Sequence, residues 1–389
     1  MQRALVLDAC QRSALATTRS LGRQGVAVYT ADDAPESLAG ASRYSRQYLR
    51  YPDPKAAAPA FISSIKDILQ QHDISLVMPM TELTSELLLN SDNLPDSVVI
   101  PFAGISTVNQ LADKCELMKL AGRLNIPHPG SQFIQPDQNI TDILESTDYP
   151  AVLKPARSWN SHGAIWSRAA VRIAADRQAA LALLQQDAVF SQHPFMLQQY
   201  IPGHGAGIFA LYNRGAPVAF FAHRRIREKP PQGGVSVLSE SIETDRQMLA
   251  YTRKLLDSVN WHGVAMVEFK IADDKTPYLM EVNTRFWGSL QLAIDAGVDF
   301  PWLLYQIATG QTVEPVQDYR TGIRLRWLLG DLDSLYLTLR DKRYSPPHKL
   351  QAVWRFIRPS LQTRHEINRW GDMAPAWYEL KQYIRDLVS

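Results

Sequence analysis

Over the first hundred residues, short apolar runs alternate with segments whose apolar side chains recur at helical spacing. The runs have the length of buried strands, and each segment between them has one apolar face. Strands that alternate with helices in this way form a parallel sheet through right-handed crossovers. The pattern predicts a small parallel α/β domain over residues 1–110, with strands at 3–7, 26–30 and 74–79 and helices at 13–24, 61–71 and 83–89.

The pattern changes after residue 149, where short strands outnumber helices. Strands are expected at 151–155, 164–168, 195–201, 207–212 and 218–223, followed by a helix at 246–259 and two further strands. Mostly antiparallel strands with interspersed helices indicate an α+β domain, which we place at residues 111–310. Residues 311–389 are rich in tryptophan and arginine, and we expect them to form a mainly helical C-terminal extension.

The composition is that of a folded protein without a dominant charge. Of 389 residues, 46% are hydrophobic, and 41 Lys and Arg face 39 Asp and Glu, which gives a net charge of +2. Because the charges nearly balance, the protein has no overall positive field for nonspecific binding of nucleic acid, and we expect no nucleic-acid partner. No apolar stretch approaches the roughly 18 residues that span a membrane. With only Cys10 and Cys115 and no signal-peptide pattern, the sequence predicts a protein of the reducing cytoplasm without a transmembrane segment.

The most informative motif is a pair of strand patterns, 264–269 and 278–283, joined by a polar turn. With a symmetric turn, antiparallel pairing places Glu268 opposite Glu281, and Asn283 falls on the same face. Directly opposed carboxylates repel each other, and this repulsion favours a bound cation. Magnesium takes oxygen ligands and commonly uses one or two carboxylates together with substrate phosphates. A solvent-facing hairpin whose acidic side chains are simply hydrated is the alternative.

Two further segments carry groups suited to phosphate. Arg285 lies two positions beyond Asn283 and faces the same way on an extended chain, and guanidinium suits a transferring phosphoryl group. Lys154, on an expected strand, precedes a loop with Ser158 and Gly163 whose backbone N–H groups can face phosphate oxygens. A lysine at a sheet edge whose ammonium reaches water is the alternative for Lys154.

A later segment combines three arginines with a Pro-Pro pair and a Gly-Gly pair. In extended geometry Arg225 and Arg227 share a face, while Arg224 points the opposite way. We expect Arg225 to contact a substrate carboxylate, and a solvated basic loop is the alternative. Arg324 and Arg326 alternate in the same manner and face either an acidic substrate or water.

The order of these segments resembles that of the ATP-grasp superfamily, especially the branch of the carbamoyl-phosphate synthase large chain. Glu-Val-Asn-Thr-Arg at 281–285 is similar to the E-x-N-x-R signature of that superfamily, and its extension through Ser289 resembles a bacterial subgroup of carboxylate-amine ligases. The resemblance covers residues 1 to about 310. It implies an ATP-grasp fold, α/β and α+β in class, with an N-terminal pre-ATP-grasp domain, a lid subdomain at about 149–202 and the C-terminal helical extension.

Residue by residue, the resemblance implies ATP and Mg²⁺ as cofactors, with Mn²⁺ as an alternative ion. It assigns the metal to Glu268, Glu281 and Asn283, the phosphates to Lys114, Lys154, Ser158 and Gly163, and the adenine to Gln198, Tyr200 and Ile201. Arg285 would steady an acyl phosphate, with Arg225 and Lys154 as further catalytic groups. Two departures are the bulky Trp159 in the glycine loop, and His204 where relatives often place an acid for the ribose.

These residues lead us to expect an ATP-dependent carboxylate-amine ligase that forms an amide through an acyl phosphate and releases ADP and phosphate. Its substrates are a small-molecule carboxylate and amine, and a homodimer is compatible with the sequence. The alternative is a catalytically inactive ATP-binding module that serves as a partner or scaffold. An NAD-dependent oxidoreductase is not supported, because the first turn, residues 8–13, lacks the glycines of a dinucleotide fingerprint.

Overall fold

A computed structural model describes residues 3–136, 138–162, 165–358, 360 and 362–388. The N-terminal part is a four-stranded sheet of order β3-β2-β1-β4, in which all pairs are parallel. This confirms the predicted parallel sheet, although β3 was not predicted. Its elements are β1 (Arg3–Val6), α1 (Arg12–Arg23), β2 (Ala27–Asp32), β3 (Ser45–Arg50), α2 (Ala58–Gln71), β4 (Leu76–Met78) and α3 (Glu82–Leu89).

Helices α4 (Ile105–Ala112) and α5 (Lys114–Arg123) lead into a second four-stranded sheet, of order β5-β10-β6-β9. The residues after Lys154 were expected to form a loop. The structure instead has a strand there, β7, which begins at Trp159 and pairs only with β8 among the described strands. The elements are β5 (Ser131–Ile134), α6 (Thr141–Glu145), β6 (Ala151–Pro155), β7 (Trp159–His162), β8 (Ile165–Arg168), β9 (Arg172–Ala174), α7 (Arg177–Gln186), α8 (Ala188–Gln192) and β10 (Phe195–Gln199).

The largest layer is a seven-stranded sheet of order β15-β14-β11-β12-β13-β16-β17. One face packs with helices α10 and α11 and the N-terminal part, and the other packs with α4, α5 and α9. Its elements are β11 (His204–Asn213), β12 (Ala216–Lys229), β13 (Val235–Ile242), α9 (Arg246–Ser258), β14 (Gly263–Ile271), β15 (Pro277–Asn283), α10 (Leu290–Ala296) and α11 (Phe300–Ala308).

The C-terminal residues contribute both to this sheet and to its surroundings. Strand β16 pairs with β13, and β17 then pairs with β16, so two short strands complete one side of the sheet. Three helices follow the predicted helical character. The elements are β16 (Arg324–Arg326), α12 (Leu328–Arg340), α13 (Pro346–Ile357), β17 (Thr363–His365) and α14 (Ala374–Val388). Within the described ranges, no helix combines the length and the apolar character that crossing a bilayer requires.

A bulge in β12 changes the direction of the basic side chains. Arg224 pairs with Glu240, whereas Arg227 pairs with Leu238, because Ile226 is an extra residue in β12. Glu240 and Leu238 lie two positions apart and share a face of β13, so Arg224 and Arg227 also share that face. The prediction that Arg225 and Arg227 point the same way is therefore wrong.

Candidate active site

The hairpin of β14 and β15 has the predicted register at its acidic pair. Glu268 pairs with Glu281, and Met266 pairs with Asn283. Beyond this pair Phe269 is opposite Leu279, so one residue of β15 bulges toward the tip of the hairpin. The amide nitrogen of Asn283 donates to Oε1 of Glu268 at 2.9 Å. Two carboxylates and an amide therefore meet on one face of the hairpin, as expected.

The electrostatics of this face favour a cation. Burial and, after it, the charge of Glu281 together raise the pKa of Glu268 to about 7. Like charges held this close are stabilised by a positive ion between them. Glu268, Glu281 and the amide oxygen of Asn283 offer only oxygen donors, which fits Mg²⁺ or Mn²⁺. Elsewhere in the described chain, no cluster of three or more His, Cys, Asp and Glu side chains forms a competing metal site.

Two guanidinium groups border the acidic pair. Arg285 donates to the amide oxygen of Asn283 at 3.2 Å and to the carbonyl of Phe286 at 2.8 Å. Arg225 reaches across from β12 and donates to Glu268 at 3.4 Å and to Glu228 at 3.1 Å. The structure thus brings both arginines to the hairpin face, where each can turn toward an anion bound between them.

Two lysines approach the same face from different elements. Lys114 is the first residue of α5, and its Nζ lies 3.0 Å from Oγ of Ser158 and 4.0 Å from Oε2 of Glu281. Lys154 lies on β6 and is buried, which lowers its pKa to about 8, although the charge of Glu281 opposes that shift. Gly163, the remaining phosphate candidate, lies outside the described residues.

The adenine candidates lie on and beyond β10. Gln198 shares the face of β10 that holds Met196, the partner of Lys154, so Gln198 and Lys154 face the same side. Gln198 is buried and donates to Ser131 at 2.9 Å, while its Oε1 has no partner among the described residues. The Tyr200 ring lies 5.2 Å from Nζ of Lys270, and Ile201 is buried.

A cleft of about 840 Å³ opens beside these groups. Its walls include Lys114, Ser158, Arg225, Arg285 and the acidic hairpin residues, whereas Lys154, Gln198, Tyr200 and Ile201 are not among the lining residues. Trp159 also lines the cleft. Loops at the carboxyl ends of β1 and β4 form the opposite wall, which is where open parallel sheets bind ligands. These loops and the first residues of α1 and α3 supply Gln11, Arg12, Ser13, Met80, Thr81 and Glu82.

Sequence reasoning missed three groups on the cleft wall. Arg12 begins α1, forms an ion pair with Glu366, and lies 4.1 Å from the ring of Trp327. The position of Arg12 just after β1 could have indicated a site residue, since open parallel sheets bind ligands at the carboxyl ends of their strands. His223 stacks on a phenylalanine, its Nε2 lies 2.9 Å from Oγ of Ser289, and burial lowers its pKa to about 3. His223 and Ser289 are 66 positions apart in the chain, so their contact could not be predicted from local sequence.

Arg324 and Arg326 lie outside the cleft, and each is paired with a carboxylate, although the side chain of Arg324 is still 36% exposed. Arg324 donates to Glu240 at 3.0 Å, and Arg326 donates to Asp331 at 2.6 Å. Arg227 also binds Asp331, through two bonds of 2.6 Å. Arg227 and Arg326 therefore join the sheet to α12, and Arg324 joins β16 to β13. None of these three arginines is among the residues that line the cleft.

Comparisons with known proteins agree with this architecture. Residues 191–330 match the family described as ATP-grasp in the biosynthetic pathway with Ter operon. The carbamoyl phosphate synthase large chain of Pyrococcus furiosus is 24% identical over 287 residues, which are 71% of this chain. The chain spans only 25% of the length of that relative.

Two solved structures illustrate the likeness in fold. The L-amino acid ligase of Bacillus licheniformis has a TM-score of 0.60 at 17% identity and aligns with 80% of this chain and 75% of its own. The second is the biotin carboxylase domain of Hydrogenobacter thermophilus 2-oxoglutarate carboxylase, a dimer in complex with MgADP, ADP and bicarbonate. It has a TM-score of 0.63 at 13% identity, and the alignment covers 83% of this chain and 73% of that chain. The chain contains an ATP-grasp domain, is homologous to the carbamoyl phosphate synthase large chain, and has the fold of the ATP-grasp ligases.

Proposed function

We propose that this protein is an ATP-dependent carboxylate-amine ligase that forms an amide and releases ADP and phosphate. The observation that carries the proposal is the convergence of Glu268, Glu281, Asn283 and Arg285 with Lys114 at one cleft. An acidic pair beside lysine and arginine is the arrangement needed to hold a magnesium-bound triphosphate while its terminal phosphoryl group transfers. We also propose three parts of the chain: a pre-ATP-grasp domain at 1–110, an ATP-grasp domain at 111–310 with its lid at about 149–202, and a C-terminal extension at 311–389.

In the proposed reaction, an oxygen of the substrate carboxylate attacks the γ-phosphorus of ATP, and the bond to the β-phosphate oxygen breaks. This gives an acyl phosphate and ADP. The amine nitrogen then attacks the acyl carbon, the bond from that carbon to the phosphate oxygen breaks, and the nitrogen loses a proton to water. Inorganic phosphate and the amide are the products.

Each residue of the site has a role in this scheme. Glu268, Glu281 and Asn283 would hold Mg²⁺, which when bound neutralises phosphate charge. Lys114 and Lys154 would contact the phosphates, with Lys114 already ordered by Ser158. Arg285 would orient the phosphoryl group, and Arg225 the substrate carboxylate.

The relatives support the reaction class and its setting. The Bacillus licheniformis protein is by its description an L-amino acid ligase, and the Hydrogenobacter thermophilus domain was described with MgADP and as a dimer. We extend these properties to this chain as a small-molecule carboxylate and amine, ATP with Mg²⁺ or Mn²⁺, and a homodimer. We place the protein in the cytoplasm without a nucleic-acid partner.

The test is ADP release over a matrix of carboxylates and amines, with Mg²⁺ and with a chelator. The expected result is ADP formation that requires one acid, one amine and the metal, with a product mass equal to the sum of acid and amine less water. Binding of ATP by calorimetry with no ADP release over a broad matrix would contradict the proposal and favour an inactive ATP-binding module.

A further inference from the structure

Helix α13 rests on the protein through one face only. Its half-buried residues are Lys349, Ala352, Val353 and Phe356, which recur at helical spacing, and none of its residues is fully buried. The Phe356 ring lies 4.2 Å from the guanidinium of Arg326, which anchors the end of α13 to the sheet. The helix is therefore held at the surface, with more than half of its circumference facing outward.

The outward side of α13 carries an apolar stripe. Leu350, Trp354 and Ile357 are 72%, 53% and 66% exposed, and their spacing of four and three residues places them on one line along the helix. The neighbouring α12 shows the same spacing at Leu332, Tyr336 and Leu339, all exposed. Single exposed apolar residues are ordinary, but two adjacent helices with such stripes indicate a contact surface.

The stripe lies in a strongly basic segment. Residues 340–358 contain one acidic residue, Asp341, which is bound to Arg343 at 2.7 Å. The guanidinium of Arg358 lies 4.8 Å from the ring of Trp354, so cation and apolar stripe are in contact. The same segment contains six basic residues, Arg340, Lys342, Arg343, Lys349, Arg355 and Arg358, which give it a net charge of +5.

We propose that α13 binds the surface of an anionic phospholipid bilayer. An amphipathic helix with Trp and Leu on one face and Lys and Arg beside them lies in the plane of the interface, where the apolar residues enter the acyl boundary and the cations meet the headgroups. Leu350, Trp354 and Ile357 are the inserting residues, and the exposed Arg355 and Arg358 are the headgroup contacts.

The charge distinguishes this occupant from a second copy of the chain. In a two-fold dimer the same patch meets itself, so two segments of net charge +5 would face each other and repel. An anionic bilayer supplies the opposite charge over a wide area. None of the residues of α13 lines the cleft, so the proposal does not depend on the chemistry performed there.

The test is co-sedimentation of the full chain with vesicles. Vesicles of phosphatidylcholine mixed with phosphatidylglycerol should bind the protein at low salt, at least about tenfold more strongly than phosphatidylcholine alone, and molar salt should release it. Failure of the folded protein to sediment with the anionic vesicles at low salt would overturn the proposal.

Two matched variants locate the contact. Trp354→Glu should reduce the bound fraction by about tenfold or more, whereas Trp377→Glu, which changes a similarly exposed tryptophan of α14, should bind like the parent. Circular dichroism and thermal unfolding would establish that both variants are folded. Equal binding by Trp354→Glu and the parent, or loss only in Trp377→Glu, would overturn the proposal.

A protein partner on this surface gives a different result. Light scattering would then show a concentration-dependent dimer that Trp354→Glu abolishes, without vesicle binding by the parent, and this result also overturns the proposal. In the expected case, the double variant Arg355→Glu/Arg358→Glu loses binding to anionic vesicles while its apolar stripe is intact.

Discussion

Arg19 in α1 and Asp372 near the C-terminus form a buried ion pair, with 2.8 Å between Nε and Oδ2 and 353 positions between them in the chain. Each side chain is 1% exposed. Arg19 also donates to the carbonyl oxygens of Glu366, Ile367 and Asp372. One guanidinium therefore ties the first helix to the C-terminal extension.

Removal of this guanidinium should be costly. In Arg19→Met the Asp372 carboxylate stays buried without its partner, and we expect a loss of about 3–5 kcal/mol in the free energy of unfolding. Urea denaturation measures the loss. Arg23→Met, which changes an exposed arginine of the same helix, is the matched control and should have little effect. A loss below about 1 kcal/mol for Arg19→Met would contradict the expected role.

Glu379 should make stability depend on pH. It accepts from Nε1 of Trp327 at 2.5 Å, and burial raises its pKa to about 7 from 4.5. Since the folded state holds the proton of Glu379 more tightly than the unfolded state does, protonation of Glu379 contributes to the free energy of unfolding. This contribution is fully present below about pH 4.5 and is lost as the pH rises through about 7.

Glu379→Gln removes that titration and retains a hydrogen-bond acceptor. Urea denaturation between pH 5 and pH 8 should show a decline in the parent of up to about 3 kcal/mol that the variant lacks. Glu314→Gln, at an exposed position, should retain the slope of the parent. The same slope in Glu379→Gln and the parent would show that Glu379 does not titrate in this range.

Glu281→Gln tests the metal role of the hairpin. The substitution preserves shape but removes one of two opposed charges, so metal-dependent ADP formation should fall by more than about 100-fold, since even the outer partners of metal ligands contribute 10- to 100-fold. Thermal unfolding should stay close to that of the parent. Turnover near that of the parent in the folded variant would rule out Glu281 as a metal ligand.

Lys154→Ala tests the buried lysine. Loss of a preorganised cation beside the phosphates should lower kcat/KM for ATP by about 10²–10³-fold. Lys119→Ala is a suitable control, because Lys119 is exposed and pairs only with Glu116 among its described ion-pair contacts. If the kinetics of Lys154→Ala match those of this control, Lys154 has a structural role only.

Arg225 and Arg224 provide a neighbouring pair with opposite directions. Arg225 lines the cleft, whereas Arg224 binds Glu240 on the other face of the sheet. Once a substrate pair is known, Arg225→Gln should raise KM for the carboxylate by about tenfold or more with a smaller change in kcat. Arg224→Gln should leave both constants unchanged. Equal effects from the two substitutions would indicate a general loss of charge rather than a contact with the substrate.

The part of the site that could be predicted from sequence is local and periodic. Opposition of Glu268 and Glu281 was predicted from the two-residue period of a strand and a symmetric turn, and the structure has that pair. The pairs nearer the turn are shifted by one residue, so a bulge in β15, which the sequence did not predict, is needed to place Glu281 opposite Glu268. The parallel N-terminal sheet follows from the alternation of strands and helices in the same way. The resemblance to the ATP-grasp superfamily is confirmed, whereas the roles assigned to individual site residues stay predictions.

The errors have a different physical origin. A bulge inserts one residue into a strand without a residue type that marks it, so the directions of Arg225 and Arg227 could not be read from alternation. Partners such as Glu366 for Arg12 and Asp331 for Arg227 are distant in sequence and are fixed only by tertiary packing. The segment after Lys154 was expected to be a loop but contains strand β7, because Trp159 and its neighbours form backbone pairs with β8 that local sequence does not indicate.

Strand β13 pairs with β12 on one side and with β16 on the other, so the hydrogen bonds of its backbone are complete only when the residues after 310 are present. A recombinant fragment cut near residue 310 would leave Leu238, Ser239 and Glu240 as an uncovered sheet border. Such a border templates intermolecular pairing. The choice of where to shorten this chain for expression would therefore decide whether the purified material is dispersed or forms aggregates.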